Sequence, residues 1–519
     1  MKRKLLFSSL LLAGITGSVF AQEAPDAAAI QKIRDEGLNH SKVMETAFYL
    51  TDVAGPRLAG SPGLRRAQNW AVNQLKSWGL ENAKLEPWGK FGKGWEVQKN
   101  YAAITVPYYH AIIAIPKAWT SGTNGPIKSE VILVKADTVT DLDQYKGKLA
   151  GKIVIFDTKT KLTRSTKPDL SRYTDDELDE MAKATSQPIQ RRAVDRNSPQ
   201  FIAMQKARIL RVAISNFLQQ ENVGLILSMA RGTDGTVFTT NGASYADTAK
   251  AAAPELETSG EDYLRILRLV KAGQKVEMEA DIKTQFFTDD LQGYDVVAEI
   301  PGTDKKLKDQ VVMIGGHLDS WHGATGATDN AAGSAVMLEA IRILKATGFK
   351  PKRTIRIALW SPEEQGLFGS RYYVLNHFGD PKTMQLKPEQ AKISAYYNLD
   401  NGTGKIRGIY LQGDSAAGVV FKPWFEPFKD LGAGTITIKN TGGTDHLSFD
   451  AVGIPGFQFI QDSMDYGTRT HHSNQDTYDR LSEDDLKQAA TIVASFIYNT
   501  SQRQEMIPRM ELPKAQGAN

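Results

Sequence analysis

At 519 residues, 41% hydrophobic and 24% charged, the chain is long enough for two to four globular domains and too apolar for wholesale disorder. Its net charge is +4, of which Lys2, Arg3 and Lys4 supply three in a segment expected to be removed, so nothing points to nucleic acid or an anionic surface as partner. No cysteine is present, which excludes a disulfide framework and a lipid-modified cysteine alike.

Residues 5–20 form an apolar run behind that basic start and close on Val19-Phe20-Ala21, a small-x-Ala pattern. We read residues 1–21 as a secretory signal and the mature protein as exported, periplasmic or secreted. Gly14 and Gly17 interrupt the run, which argues against a membrane anchor, and no later stretch reads as a membrane span.

Residues 27–53 show helical spacing up to the break at Gly55-Pro56, and a second helix is expected from about Leu64 to Gly79. Residues 101–115 are rich in β-formers. The Gly, Ser, Thr and Asn of 121–128 then mark an expected domain junction, dividing a first part, 22–120, from an insert, 121–283. Within that insert, strands are expected at 131–134, 153–156 and 224–229 and a helix at 263–271, with a charged helical excursion over 159–211 that reads as a solvated surface element rather than a lid.

From 284 to 519 the pattern changes. Short strands at 295–300, 311–314, 354–360 and 393–399 alternate with helical stretches such as 331–346, which predicts an α/β domain on a largely parallel sheet. Such sheets place ligands at the carboxyl ends of their strands. A closing helix is expected behind Ser482 as N-cap, with an apolar stripe at Leu486, Ala489, Ala490, Val493 and Phe496.

Chemistry-bearing residues gather at those strand ends. The run 311–314 is expected to end at a sharp Gly315-Gly316 turn, followed by His317, Asp319 and Asp329. Glu363 and Glu364 follow the strand ending at Trp360, Asp400 follows 393–399, and His471-His472 lie in a loop beyond PGFQFIQ. Each has an ordinary explanation alone. Paired acids can open a helix, an Asp before Asn-Gly can be a turn, and a lone histidine is more often a hydrogen-bonded structural residue. Four ligand-type sets at strand exits of one domain, drawn from a chain with eight histidines, favour metal ligation. Two zinc ions need two imidazoles and three carboxylates when one carboxylate bridges, and a further carboxylate must stay free to accept the proton of the attacking water. This inventory supplies them.

These pieces resemble the M28 family of co-catalytic zinc exopeptidases, whose motif is His-x-Asp, a bridging Asp, adjacent Glu-Glu, a later Asp and a final His. The likeness extends to GPRLAGSPG at 55–63, YDVVAEIPG at 294–302 and GGTDHLSFDAVGIPG at 442–456. Residues 121–283, with YKGKLAGKIVIF and NVGLILS, resemble a protease-associated (PA) domain. The 317–329 interval and the HHSxxDT form are similar to the carboxypeptidase Q-like subgroup.

The resemblance implies a mostly parallel mixed sheet flanked by helices, with a β-rich PA insert. It implies two zinc ions per chain, one held by His317, Asp329 and Asp400 and one by Asp329, Glu364 and His472. Glu363 takes the place of the general base, Asp319 fixes the His317 ring, and a cis peptide falls at Asp329-Asn330. His472 rather than His471 matches the final ligand by its spacing to Asp476-Thr477. Where some secreted aminopeptidases of the family have an intermediate-binding Tyr, this chain has Ile454. Tyr466, Thr444 and His446 are candidates for that role and, with Asp445, form the expected substrate-contacting set. His322 is left as structural.

The expected activity is aminopeptidase-type hydrolysis of a peptide or dipeptide near a free terminus. A dipeptidase or carboxypeptidase of the same chemistry is the alternative, ahead of an inactive binding scaffold and of a glutaminyl cyclase on the related fold, for which a PA-like insert is not expected.

Overall fold

The computed structural model describes residues 25–185 and 196–515; the expected signal segment, 1–21, lies outside the described residues. Two eight-stranded sheets organise the chain. In the first, the strands run in the order Glu81–Lys90, Gln292–Ile300, Thr354–Trp360, Val311–His317, Ile393–Asn398, Gly456–Gln461, Ile406–Tyr410 and Thr435–Thr437. Its middle is parallel. Val311–His317 pairs in parallel with both Thr354–Trp360 and Ile393–Asn398, and the latter pairs in parallel with Gly456–Gln461. Antiparallel neighbours stand outside this block, so the sheet is mixed.

Alternation along the central strand shows why the sheet is covered on both faces. Val312 and Ile314 join a core with the helices Ala27–Asn39, Ala332–Ala346 and Glu483–Gln502, while Val311 and Met313 face Tyr373, Phe378 and Phe449 on the other side. Among the described residues no helix is long and apolar enough to cross a membrane.

The central strand is longer than expected. Gly315 and Gly316 lie inside it, and His317 is its last residue. These glycines serve close packing rather than a turn: a Cβ on Gly315 would collide with the Ala358 carbonyl of the neighbouring strand, and one on Gly316 would stand 3.1 Å from the Leu399 carbonyl.

The helical pattern at 27–53 is also divided, into Ala27–Asn39, Val43–Phe48 and a wide turn, Tyr49–Val53. The break is held by Glu339, which is buried and accepts from Ser41 Oγ and from the backbone N–H of Lys42, both at 2.9 Å.

The second sheet runs in the order His110–Ala111, Gly94–Val106, Glu277–Phe287, Ile127–Val134, Ile153–Phe156, Leu225–Met229, Glu255–Thr258 and Ala114–Pro116. Helix Gly260–Lys271 closes its core. The junction expected at 121 therefore falls within this sheet, whose pairing starts at Gly94 and ends at Phe287.

The excursion contains the helices Asp175–Ala182 and Pro199–Gln220. Its first half is docked on the first sheet rather than solvated. Arg172 bridges Asp462 at 2.8 Å and Asp485 at 2.7 Å, and Leu178 and Met181 pack on Ile460.

Candidate metal centre

Three of the four loops that carry the candidate residues leave adjacent parallel strands at the same end. His317 closes its strand, Asp400 lies two residues past Ile393–Asn398, and Glu363 lies three past Thr354–Trp360. Glu363 and Glu364 occupy the turn before helix Phe368–His377 and do not open it, so no helix dipole accounts for the pair. The fourth loop follows a one-turn wide helix, Tyr466–Thr470.

Five of the predicted side chains converge. His317 Nε2 stands 3.3 Å from Asp400 Oδ1 and 3.4 Å from Asp329 Oδ1. His472 Nε2 stands 3.2 Å from Asp329 Oδ2 and 2.9 Å from Glu364 Oε2. Asp329 thus turns one carboxylate oxygen to each imidazole. His471 is farther, at 3.8 Å from Asp329 Oδ2, with its ring against Tyr466.

With zinc–ligand bonds of about 2.0–2.1 Å, neighbouring donors on a tetrahedral ion lie about 3.3–3.4 Å apart. The His317, Asp329 and Asp400 separations match that edge and are longer than ordinary N–H···O bonds.

The electrostatics make the same demand for a cation. Asp319, Asp329, Glu363 and Asp400 are buried together, and Glu364 keeps a side chain only 2% exposed. Burial pushes Glu363 well above the usual carboxylate range, opposed by His317, and pushes Glu364 up to about 7. Burial would raise Asp329 too, yet His317 and His472 hold it well below its ordinary value. For His472 burial works against protonation, but Glu364 and Asp329 outweigh it and bring the ring to about 11. Glu364 Oε1 is buried with no hydrogen-bond partner, and Asp329 Oδ2 faces the His472 ring at 3.2 Å. Acids this crowded are satisfied by a metal far better than by borrowed protons. Two sets of side chains bring donor atoms close enough together to hold an ion, His317 with Asp329 and Asp400, and Asp329 with His471 and His472; the second takes in His471 where the expected set has Glu364.

The supporting contacts are equally specific. Asp319 stands 3.5 Å from His317 Nδ1, and its carboxylate accepts the backbone N–H of Glu363 at 3.0 Å and of Glu364 at 3.3 Å. One residue therefore orients both the imidazole and the acidic pair. The peptide Asp329-Asn330 is cis. Asn330 donates to the Leu399 carbonyl and accepts from the Gly333 N–H, which ties the Asp329 segment to that of Asp400.

Asp476, read in the sequence only as a spacing marker, accepts the backbone N–H of Thr328 at 2.6 Å and of Asp329 at 3.1 Å. Arg57 was likewise passed over within GPRLAGSPG. It is fully buried and donates to the carbonyls of Leu50, Leu318, Thr325 and Gly326. A buried, always-charged donor in a Gly/Pro-rich loop was the available signal for it.

The expected substrate-contacting residues fare differently. Thr444, Asp445 and His446 are 3%, 0% and 0% exposed, so they present no surface to a peptide. Thr444 Oγ1 accepts from Asn398, and His446 Nε2 lies against the Thr441 carbonyl at 3.2 Å. Tyr466 is half-buried beside His471, its hydroxyl held well above the ordinary range by burial and then by Asp329. Ile454 is part of the core. His322 is half-buried and donates from Nε2 to the Pro116 carbonyl of the second sheet at 2.6 Å; desolvation of the ring lowers it to about 4, which keeps it neutral.

Residues 295–497 match the model of Peptidase family M28. Along nearly its whole length the chain is similar to carboxypeptidase Q of Bos taurus, 26% identical over 96% of this chain and 97% of that one. A Peptidase M28 precursor from Shewanella amazonensis has a similar structure, with a TM-score of 0.64 and 25% identity over 94% of this chain and 98% of that one. The zinc aminopeptidase BSAP of Bacillus subtilis shares the fold, with a TM-score of 0.52 and 19% identity over 89% of this chain and 95% of that one.

Proposed function

We propose that this chain, which carries a Peptidase family M28 domain, is a metallo-exopeptidase that binds two zinc ions and hydrolyses peptide bonds next to a free terminus. His317, Asp329 and Asp400 would hold one ion, and Asp329, Glu364 and His472 the other. The observation that carries the reading is the divided carboxylate of Asp329, one oxygen 3.4 Å from His317 Nε2 and the other 3.2 Å from His472 Nε2.

When bound, zinc supplies Lewis acidity toward water and toward the scissile carbonyl. The protein's own part is proton handling and alignment. Glu363 is buried beside the proposed ligands and, unlike Glu364, is ion-paired with neither imidazole, which leaves its carboxylate to take the proton of the attacking water and deliver it to the leaving amine. Asp319 holds the Glu363 backbone from behind.

Aminopeptidase-type cleavage is supported by the similarity to Aminopeptidase YwaD of Bacillus subtilis, 27% identical over 44% of this chain. A second reading, carboxypeptidase or dipeptidase action, is supported by the whole-length similarity to proteins named carboxypeptidase Q. The basic and apolar start of the chain supports export, and the second sheet is taken as the PA-like insert.

Two experiments test this reading. A Glu363→Gln enzyme should keep two zinc ions and lose at least about 100-fold in kcat, the lower range for a general base; full activity in protein free of wild type would overturn the assignment. Mass-spectrometric product analysis of free, N-blocked and C-blocked peptides then separates the two readings. Loss of cleavage only on N-blocking means aminopeptidase, only on C-blocking carboxypeptidase, and on either dipeptidase.

A further inference from the structure

His472 sits at φ 61°, in the left-handed region that side-chain-bearing residues seldom adopt. Its loop contains no regular strand and needs something to hold it there. The holding groups belong to the second sheet. Immediately after strand Leu225–Met229, residues 231–240 reach across to the loop and pair with it. The N–H and hydroxyl of Thr239 both donate to the His472 carbonyl, at 2.7 and 3.0 Å. Phe238 bridges Ser473 as an antiparallel pair.

Asn474 behaves as an extra strand residue in this contact. Its backbone N–H donates to the Val237 carbonyl at 3.1 Å, its Oδ1 accepts from the Val237 N–H at 2.8 Å, and its Nδ2 donates to the Gly235 carbonyl at 3.0 Å. On the other side of the histidines, Arg469 is 14% exposed and forks into the same segment. It donates to the Thr233 carbonyl at 2.7 Å and to Thr236 Oγ1 at 2.9 Å, and it pairs with Asp234 and Asp169 at 2.8 Å each. The far end of the segment is anchored in turn, with the Thr240 N–H and hydroxyl both donating to Glu257 at 2.8 Å.

We propose that the second sheet is a positioning element for one of the two metal sites: through residues 233–239 it fixes the His472 loop, with Arg469 and Asn474 as its positioning residues. This inference rests on the two-zinc reading above. It follows that the ion shared by Asp329, Glu364 and His472 depends on the inserted module. The ligands of the other ion, His317, Asp329 and Asp400, make no hydrogen bond to residues 233–239.

The test is chelator competition on the zinc-loaded full chain, counting zinc retained per protein, with Arg469→Ala and Asn474→Ala. Zinc-loaded wild type should carry two ions before chelator is added; one or none at that point would refute the two-zinc reading itself. In each variant one ion should leave at a chelator concentration about 10-fold lower or more, as expected for loss of an outer partner of a ligand, while the other leaves as in wild type. Activity should fall with the first ion and return on adding zinc. Release of both ions as in wild type, or an equal shift of both, would overturn the positioning role. Should Arg469→Ala fail to fold, Arg469→Lys keeps a charge beside Asp169 and Asp234 without the fork, and must show the same one-sided shift, smaller in size.

Discussion

Replacing Arg57 with methionine removes the donor that gathers the loop carrying Asp319 and Asp329, while keeping much of the side-chain volume. The guanidinium is fully buried and donates to the carbonyls of Leu50 and Leu318 at 2.7 Å, Thr325 at 2.5 Å and Gly326 at 2.8 Å. Burial lowers its pKa to about 10 against the opposing pull of Asp476 and Asp319, so it is charged at neutral pH. Hydrogen bonds to a charged group contribute about 1.5–3 kcal/mol each, but four of them do not add. The Gly326 carbonyl keeps the Ala331 N–H as a partner, and local relaxation can rescue another. Two carbonyls left unsatisfied at about 1–3 kcal/mol each give a loss of about 4 kcal/mol, roughly a thousandfold in the folding equilibrium. Urea unfolding of zinc-loaded and chelated protein measures it. The loss should be larger in the zinc-loaded pair, because the tethered loop carries a ligand shared by both proposed ions. A loss below about 1 kcal/mol would refute the claim that this guanidinium organises the loop.

Two further outcomes follow from single contacts. Asp319→Asn replaces a carboxylate that accepts from two backbone N–H groups with an amide that can oppose only one of them, so kcat/KM should fall about 10- to 100-fold with the zinc content largely kept; complete loss of both ions would instead make Asp319 a ligand. The Glu86 carboxyl, which burial alone would raise, is drawn down to about 2 by His377 and Lys84, so its folded value lies below the ordinary 4.5. Its contribution is therefore present above about pH 4.5 and is lost as pH falls toward 2. For this half-exposed pair Glu86→Gln should cost about 1 kcal/mol at pH 7, and the difference from wild type in urea unfolding should shrink through that window.

The central α/β architecture was legible because each strand of the parallel block is a short, mostly apolar run. Thr354–Trp360 and Ile153–Phe156 lie where the sequence pattern puts them. The candidate site was legible for the same reason, since its acids and histidines follow those runs closely along the chain. Gly315 and Gly316 were misread because a glycine pair signals a turn and a close strand packing equally well, and only the approach of Ala358 distinguishes them. Thr444 and His446 were named, with Asp445, because the chain has Ile454 where some secreted aminopeptidases of the family have an intermediate-binding Tyr, a role that no pattern in the sequence reassigns. Burial between helix His446–Asp450 and the sheet removes them from it.

What the sequence could not disclose is the framing of the site by groups hundreds of residues away. Arg57 reaches Leu318, Arg469 reaches Thr233, and His322 reaches Pro116 between irregular segments that have no periodicity to announce them. The last two cross from the first sheet to the second. A pair of metal-binding loops held only by their own strands would be free to spread under the mutual repulsion of Asp329, Glu363, Glu364 and Asp400. Closing those loops costs chain entropy, which grows only slowly with the length of chain enclosed. A distant sheet can therefore supply the restraint nearly as cheaply as a neighbouring residue, and the loop that leaves its strand Leu225–Met229 offers the backbone groups of Val237 and Thr239, which a flexible side chain does not. On this account the second sheet belongs to the proposed metal centre as much as its proposed ligands do, and the dependence of one ion on Arg469 and Asn474 is the measurable consequence.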